Sequence, residues 1–428
     1  MDWRVDEGDV TERLRDVPDN TYAGVLCDPP YGLAFMGKRW DYDVPSAALW
    51  SEVLRVCKPG APLLAFGGTR TYHRMVVAIE DAGWEIRDQV CWLYGSGFPK
   101  SLNVSKALDK AAGAEREVVG PYVIPGSGGK TYRTDAPAQP AGNGSSFASG
   151  VRCPVITAPA TDLARTWGGY GTALKPAHEP CVLARKPLDG TVAANVTKWG
   201  CGALAIDAGR VAATDKTPAP VGRYSRPSIG TVGHSGVRDG SKDHLGRHPA
   251  NLILDEDAAA QLDAAVGDRP GMSGGGRHKP GAQTGMFGAI DGNPSHCRGD
   301  NGGPSRFFYT AKVSRKEREA GLAQLPTMSG AESVGRAEGS AGTRSPRAGA
   351  GRTASTVRNH HPTLKPLALT EYLARLILPP VPGALLVPFA GAGSEMIGAV
   401  RAGWQTVHGI EREPEYVTIA INRLEHWT

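Results

Sequence analysis

Apolar and polar residues fall into short periodic blocks over two stretches of the chain, 21–95 and 362–424, and lose that order between them. In the first stretch, Tyr22 to Cys27 is an apolar run of strand length that ends at Asp28. Ala47 to Val56 carries Leu49, Trp50, Val53 and Leu54 at helical spacing and stops at Lys58-Pro59-Gly60. Pro62 to Phe66 reads as a short buried strand before the Gly67-Gly68 turn. Thr71 to Ala82 reads as a helix with Met75, Val76 and Ile79 on one face and Gly83 as its C-cap. Trp84 to Leu93 reads as a further strand. In the second stretch, Pro366 to Leu378 has Leu369, Tyr372, Leu373, Leu376 and Ile377 at helical spacing. Ala384 to Val387 is a strand running into a glycine turn, Ser394 to Ala402 a helix closed by Gly403, Thr406 to Ile410 a strand ending at Glu411, and Tyr416 to Leu424 a last helix. Strands alternating with helices predict an α/β fold, a doubly wound and mostly parallel sheet with helices on both faces. The two stretches read as halves of one sheet.

The middle has another character. Residues 113–165 and 212–246 are rich in Gly, Ser, Pro and Thr. Residues 267–305 and 326–357 add basic side chains, among them Arg269, Arg277, His278, Lys279 and Arg298, then Arg336, Arg344, Arg347 and Arg352, with Arg358 just beyond. Such composition buries too little apolar surface to offset the entropy of ordering, so these stretches read as linkers, compatible with basic loops that order on a phosphate backbone. Islands of ordinary sequence stand around Leu174 to Leu183, Ala203 to Ile206, Ala250 to Leu254 and Phe307 to Ala311. A length of 428 residues suits two or three domains. The net charge of +5 is compatible with a nucleic-acid partner without singling one out. The seven cysteines form no C-x-x-C pair, so neither a zinc ribbon nor a thioredoxin-like site is expected, and no metal. The N-terminus has no signal-peptide core, and no apolar run approaches the ~20 residues of a membrane span. A cytoplasmic protein is expected.

Two strings carry chemistry. Asp28-Pro29-Pro30-Tyr31 follows the first strand, at the edge of an α/β sheet where ligands bind. An exocyclic amine on a nucleobase is a poor nucleophile because its lone pair is delocalised into the ring. Two acceptors that hold its hydrogens, the Asp28 carboxylate and the Pro29 carbonyl, would let the nitrogen rehybridise. The prolines stiffen the loop, and the face of the Tyr31 ring, rather than its hydroxyl, offers a flipped base a place to stack. Phe389-Ala390-Gly391-Ala392-Gly393-Ser394 lies between a strand and a helix, where glycines allow close backbone approach to a ligand. Glu411 ends the next strand, about 20 residues on, where an acid accepts ribose hydroxyls. Alone, this turn would serve NAD equally well.

With His361-Pro362-Thr363-Leu364-Lys365-Pro366, these strings resemble the motifs of the beta-class DNA amino-methyltransferases, in which the catalytic motif precedes the cofactor motif. Val56-Cys57-Lys58-Pro59-Gly60 resembles that family's helix end after the catalytic loop. Trp92 with Gly95 to Pro99, and Ala177-His178-Glu179-Pro180, resemble the arms of its closing hairpin, with His178 read as structural. The resemblance implies a Rossmann-like methyltransferase sheet with permuted motif order. It implies a catalytic half at 1–188 with a Gly/Pro-rich insertion near 113–165, a target-recognition region at 189–357 and a cofactor-binding half at 358–428. S-adenosyl-L-methionine (AdoMet) is the implied cofactor. Asp28, Pro29, Pro30 and Tyr31 are the implied catalytic residues, and Phe389, Gly391, Gly393, Ser394, Glu411, His361, Thr363 and Lys365 the cofactor-binding ones. Arg344, Arg347 and Arg352, in glycine-rich sequence ahead of His361, are expected to contact the phosphates of double-stranded DNA. The implied reaction is N6-adenine methylation by base flipping, in restriction–modification or a related role. Within the family, N4-cytosine methylation is the alternative. Outside it stand methylation of RNA or protein, which the motif order disfavours, and a silent AdoMet-fold DNA-binding module, which the intact motifs disfavour. A homodimer and a cognate nuclease are compatible partners, and no nuclease motif stands in this chain.

Overall fold

A computed structural model describes residues 2–33, 41–97, 101–121, 155–212, 246–270, 301–312, 314, 316–329 and 356–428. The chain forms two compact units. The first comprises Met1–Gly95, His178–Glu317 and Lys365–Thr428, and the second Ser96–Ala177 and Arg318–Leu364.

The first unit is built on a nine-stranded sheet. Its strands are β1 (Asp2–Glu7), β2 (Gly24–Cys27), β3 (Pro62–Phe66), β4 (Glu85–Leu93), β5 (His178–Arg185), β6 (Leu252–Asp255), β7 (Tyr309–Ala311), β8 (Ala384–Val387) and β9 (Thr406–Glu411). They lie in the order β1-β9-β8-β2-β3-β5-β4-β6-β7. All neighbours are parallel except β5, which is antiparallel to both β3 and β4. The two periodic stretches do share one sheet, joined where Leu385 and Leu386 of β8 lie opposite Gly24 and Val25 of β2. The two hairpin arms are also paired, with Leu93 opposite His178, but they do not close the sheet, which continues beyond β4.

Helices α1 (Val10–Leu14), α2 (Ala47–Val56) and α3 (Tyr72–Asp81) pack in series. So do the helices of the C-terminal stretch, α8 (Leu367–Leu376), α9 (Ser394–Ala402) and α10 (Pro414–Trp427). Parallel connections are right-handed, and the chain winds from β8 toward β1 but from β2 toward β3. The two helix sets therefore cover opposite faces. Ser46 caps α2 by accepting from the Leu49 amide. Trp50, Met75 and Ile79 on one set, and Leu369, Leu373 and Met396 on the other with Trp404 in the turn after α9, are buried against strands with no exposed residue in β2 or β3. Such double-sided burial is what near-continuous apolar strands indicate.

Helices α8 and α9 approach unusually closely. A Cβ on Gly398 would stand 2.6 Å from the Thr370 carbonyl carbon and 2.7 Å from the Glu371 amide nitrogen. The Thr370 hydroxyl donates to the Ser394 carbonyl at 3.0 Å, tying α8 to the first turn of α9.

Three strands were not legible as members of this sheet. β1 adds an edge along the whole of β9, from Asp2 opposite Thr406 to Glu7 opposite Glu411, and His408 Nε2 meets Asp6 at 2.8 Å. β6 and β7 fall within the 189–357 segment and extend the sheet beyond β4. Between them runs α7 (Glu256–Val266), after α6 (Val192–Trp199) earlier in the chain. No helix among the described residues is long and apolar enough to cross a membrane.

In the second unit, α4 (Val104–Ala111) packs against α5 (Asp162–Thr166). The buried Asp109 carboxylate accepts from the amides of Ala160 and Thr161 and from the Thr161 hydroxyl, and pairs with Arg116. Arg318 donates to the carbonyls of Asn359 and His361.

Candidate active site at the switch point of the sheet

The winding direction reverses between β8 and β2, which opens a crevice beyond their carboxyl ends. Asp28-Pro29-Pro30-Tyr31 leaves β2 there, and Phe389 to Ser394 leaves β8 beside it. Strings remote in sequence thus meet at neighbouring strand ends.

The first loop is clamped on both sides of Tyr31. The buried Asp41 carboxylate accepts from the amides of Tyr31 at 2.6 Å, Gly32 at 3.1 Å and Leu33 at 3.3 Å. The Thr71 hydroxyl, at the start of α3, donates to the Tyr31 carbonyl. Pro29 is buried and leaves the loop little freedom.

At its centre lies a charge cluster. Lys365 Nζ is 2.6 Å from Asp28 Oδ2, 3.1 Å from the Tyr31 hydroxyl and 3.1 Å from Glu179 Oε2. An ammonium has three N–H donors, and here each has an acceptor. The Tyr31 hydroxyl also lies 2.6 Å from Asp28 Oδ1 and 3.3 Å from Glu179 Oε2. The ammonium stands over the Phe66 and Tyr31 rings, at 4.8 and 5.5 Å from their centroids. Burial works against the lysine charge, yet Asp28 and Glu179 outweigh it and hold Lys365 protonated above the ordinary lysine range. Burial first, and then the Asp28 charge, push the Tyr31 phenol well above its usual range. Glu395, one residue into α9 and buried, is pushed up to about 7 by desolvation and then by Asp28, with Lys365 pulling the other way.

The second loop is a cradle of backbone. Gly391 and Gly393 have φ of 50° and 80°, in the left-handed region that favours glycine. A Cβ on Gly393 would also press on Ala420 at 3.2 Å. Glu411 spans the cradle, with Oε2 accepting from the Gly391 amide at 2.7 Å and Oε1 from the Glu413 amide at 2.9 Å. Burial raises its pKa against the pull of these amides. Phe389 is half-buried, edge-on to Trp50 at 6.3 Å. Ser394 is buried, its hydroxyl 3.2 Å from Arg423 Nη1, which also donates to the Ala392 carbonyl.

The structure therefore gathers Asp28, Tyr31, Lys365, Phe389, Gly391, Gly393, Ser394 and Glu411 in one unit, with Lys365 bound to Asp28. His361 and Thr363 belong to the second unit, where the His361 ring contacts the Thr363 carbonyl. Arg344, Arg347 and Arg352 lie outside the described residues. The Tyr31 hydroxyl, left without a role by the sequence, is engaged by three charged side chains. Asp41, Glu179 and Glu395 carry no clear mark of a role in the sequence. Glu179 sits in a strand-end His-Glu pair that reads as structural, and Glu395 follows the glycine turn in a first helical turn, where acids are common. Nothing local marks Asp41.

No protein-family model matches the chain, and no curated protein does. Among solved structures it is similar to M1.HpyAVI, at 10% identity and a TM-score of 0.38 over 99% of this chain and 98% of that one. It is similar to TTHA0409, a putative DNA modification methylase from Thermus thermophilus, at 15% identity and a TM-score of 0.35 over 99% and 95%. It is also similar to the PvuII DNA methyltransferase (cytosine-N4-specific), at 11% identity and a TM-score of 0.38 over 99% and 86%.

Proposed function

We propose that this chain is an AdoMet-dependent methyltransferase acting on the exocyclic N6 of adenine in double-stranded DNA, with the target base turned out of the helix. The observation that carries the reading is the pairing of β8 with β2, which sets an Asp-Pro-Pro-Tyr loop beside a glycine cradle at the switch point of the sheet.

The cradle fits the cofactor. Two glycines with positive φ free the backbone at the start of α9, and a carboxylate at the end of β9 reaches across the turn. Phe389, Gly391, Gly393, Ser394 and Glu411 would hold it, with Lys365 assigned with them. AdoMet supplies an electrophilic methyl group on a sulfonium. Asp28 accepts one hydrogen of the target amine and the Pro29 carbonyl the other, turning the nitrogen lone pair outward. The Tyr31 ring stacks on the extrahelical base. Asp41 and Thr71 fix the loop, so the acceptors are in place before the amine arrives.

Arg344, Arg347 and Arg352 are assigned to backbone phosphates, and the base-reading side chains to the structured parts of 189–311. The N4-cytosine amine meets the same two acceptors, so pocket shape decides the base. Calorimetry with AdoMet, followed by nucleoside analysis of DNA incubated with enzyme and cofactor, tests the proposal. N6-methyladenine supports it, N4-methylcytosine moves it to the alternative base, and unmodified DNA refutes it. Sequencing that reads modified bases then gives the recognition site.

A further inference from the structure

We propose that Glu179 receives the proton released by methylation, passed from Asp28 through the Tyr31 hydroxyl. The inference rests on the methyltransferase reading above and deepens it. Methyl transfer forms a C–N bond with the amine lone pair and breaks the C–S bond, whose electrons stay on sulfur. The nitrogen is left positively charged with one proton to lose. Asp28 is the carboxylate placed at that nitrogen, and its Oδ1 lies 2.6 Å from the Tyr31 hydroxyl. The same hydroxyl lies 3.3 Å from Glu179 Oε2.

A phenol donates and accepts at once. A proton taken up by Asp28 can therefore pass to the Tyr31 oxygen as the phenol's own proton passes to Glu179. Asp28 returns to the carboxylate, Tyr31 stays neutral, and Glu179 becomes a neutral acid that gives its proton to water. Of Lys365, Asp28 and Glu179, the last is the most open, at 25% side-chain exposure against 4% and 15%. Burial and the Asp28 charge disfavour a free Tyr31 phenolate, in keeping with a phenol that gives up its proton only as it gains one. Lys365 donates to all three members and keeps them in line. The charged and titratable groups facing the relay are Lys365 and Tyr94 beside Glu179, Glu395 and Cys27 beside Asp28, and Cys181 beside Tyr31 and Asp28. Glu179 touches no reacting atom. It is a positioning residue that works through Tyr31.

Single-turnover methylation by the wild type, Glu179→Gln and Tyr31→Phe, in light and heavy water and with added acetate or imidazole, tests the relay. Each variant should slow turnover by about 10-fold or more, show a solvent isotope effect larger than the wild type's, and recover rate as buffer rises. AdoMet affinity should stay at the wild-type value. In the protein alone, the Glu179 carboxyl carbon resonance, assigned by its loss in Glu179→Gln, should shift in Tyr31→Phe. Full-rate turnover by Glu179→Gln overturns the relay. So does slow turnover with neither isotope effect nor rescue, which would make Glu179 a packing residue, and so does an unmoved resonance. A folded wild type that binds AdoMet but methylates no DNA overturns the methyltransferase reading itself, and the relay with it.

Discussion

Replacing Glu395 with Gln should stabilise the protein, and by an amount that depends on pH. Glu395 is buried in the first turn of α9 and its pKa stands at about 7, against 4.5 for an ordinary glutamate. Between those values the folded state holds a proton that the unfolded chain has lost, so stability falls as pH rises. The full stability is present below about 4.5, falls through the interval, and the cost is complete above about 7. A tenfold difference in acidity between the two states corresponds to about 1.4 kcal/mol, so the cost is on the order of 3 kcal/mol at alkaline pH. Gln has the same shape and does not ionise. Urea unfolding of both proteins at about pH 5 and about pH 8 should show them close at the lower pH and the variant more stable at the higher. An equal difference at both values, or a wild type that is the more stable at the higher pH, would refute the assignment of Glu395 as a buried acid that holds its proton in the folded state.

Three further substitutions probe separate parts of the structure. Asp28→Ala removes an acceptor used as the amine rehybridises, so turnover should fall by roughly 100-fold or more while AdoMet affinity measured by calorimetry changes little. Gly398→Ala places a methyl group against the backbone of α8, so unfolding by urea should show a loss of about 1–3 kcal/mol. Changing Arg344, Arg347 and Arg352 together to Ala should weaken cognate and random duplexes alike and flatten the slope of log affinity on log salt by roughly 1 for every phosphate no longer neutralised. A changed target sequence with unchanged affinity would count against phosphate contacts.

The sequence made periodic and capped elements legible and left remote pairings obscure. Helix α2 was bounded correctly because four large apolar residues recur at its spacing and Lys-Pro-Gly ends it. β1 is not legible because it is an edge strand. Asp2, Arg4, Asp6 and Glu7 give it the look of a charged surface, and half its residues face water. β6 showed as an apolar island, but its parallel pairing with β4 joins segments so distant that neither carries a mark of the other. The site divides the same way. The backbone features, prolines after a strand and glycines before a helix, are local and could be read. The carboxylates around Lys365 come from the loop after β2 and from β5, and only folding brings them to one ammonium.

That difference bears on why the two loops of one crevice can stand in either order along a chain. The site is set by the register of two parallel strands and by no loop that joins them. Leu385 opposite Gly24 and Leu386 opposite Val25 fix the height of the glycine cradle relative to Asp28. A slip of one residue would displace one loop by about 3.3 Å and turn the β2 side chains to the opposite face. Packing guards against it. A Cβ on Gly24 would stand 3.0 Å from the Trp404 ring and 3.4 Å from a Leu385 methyl, so β2 accepts that ring only where the side chain is missing. Trp404 is itself buried, and its indole N–H is bound to the Ala374 carbonyl of α8. The register thus rests on contacts among β2, β8, α8 and the turn after α9, whichever half the ribosome makes first. Chain order decides which segments become insertions. Strand geometry at the switch point decides what the two loops can do together.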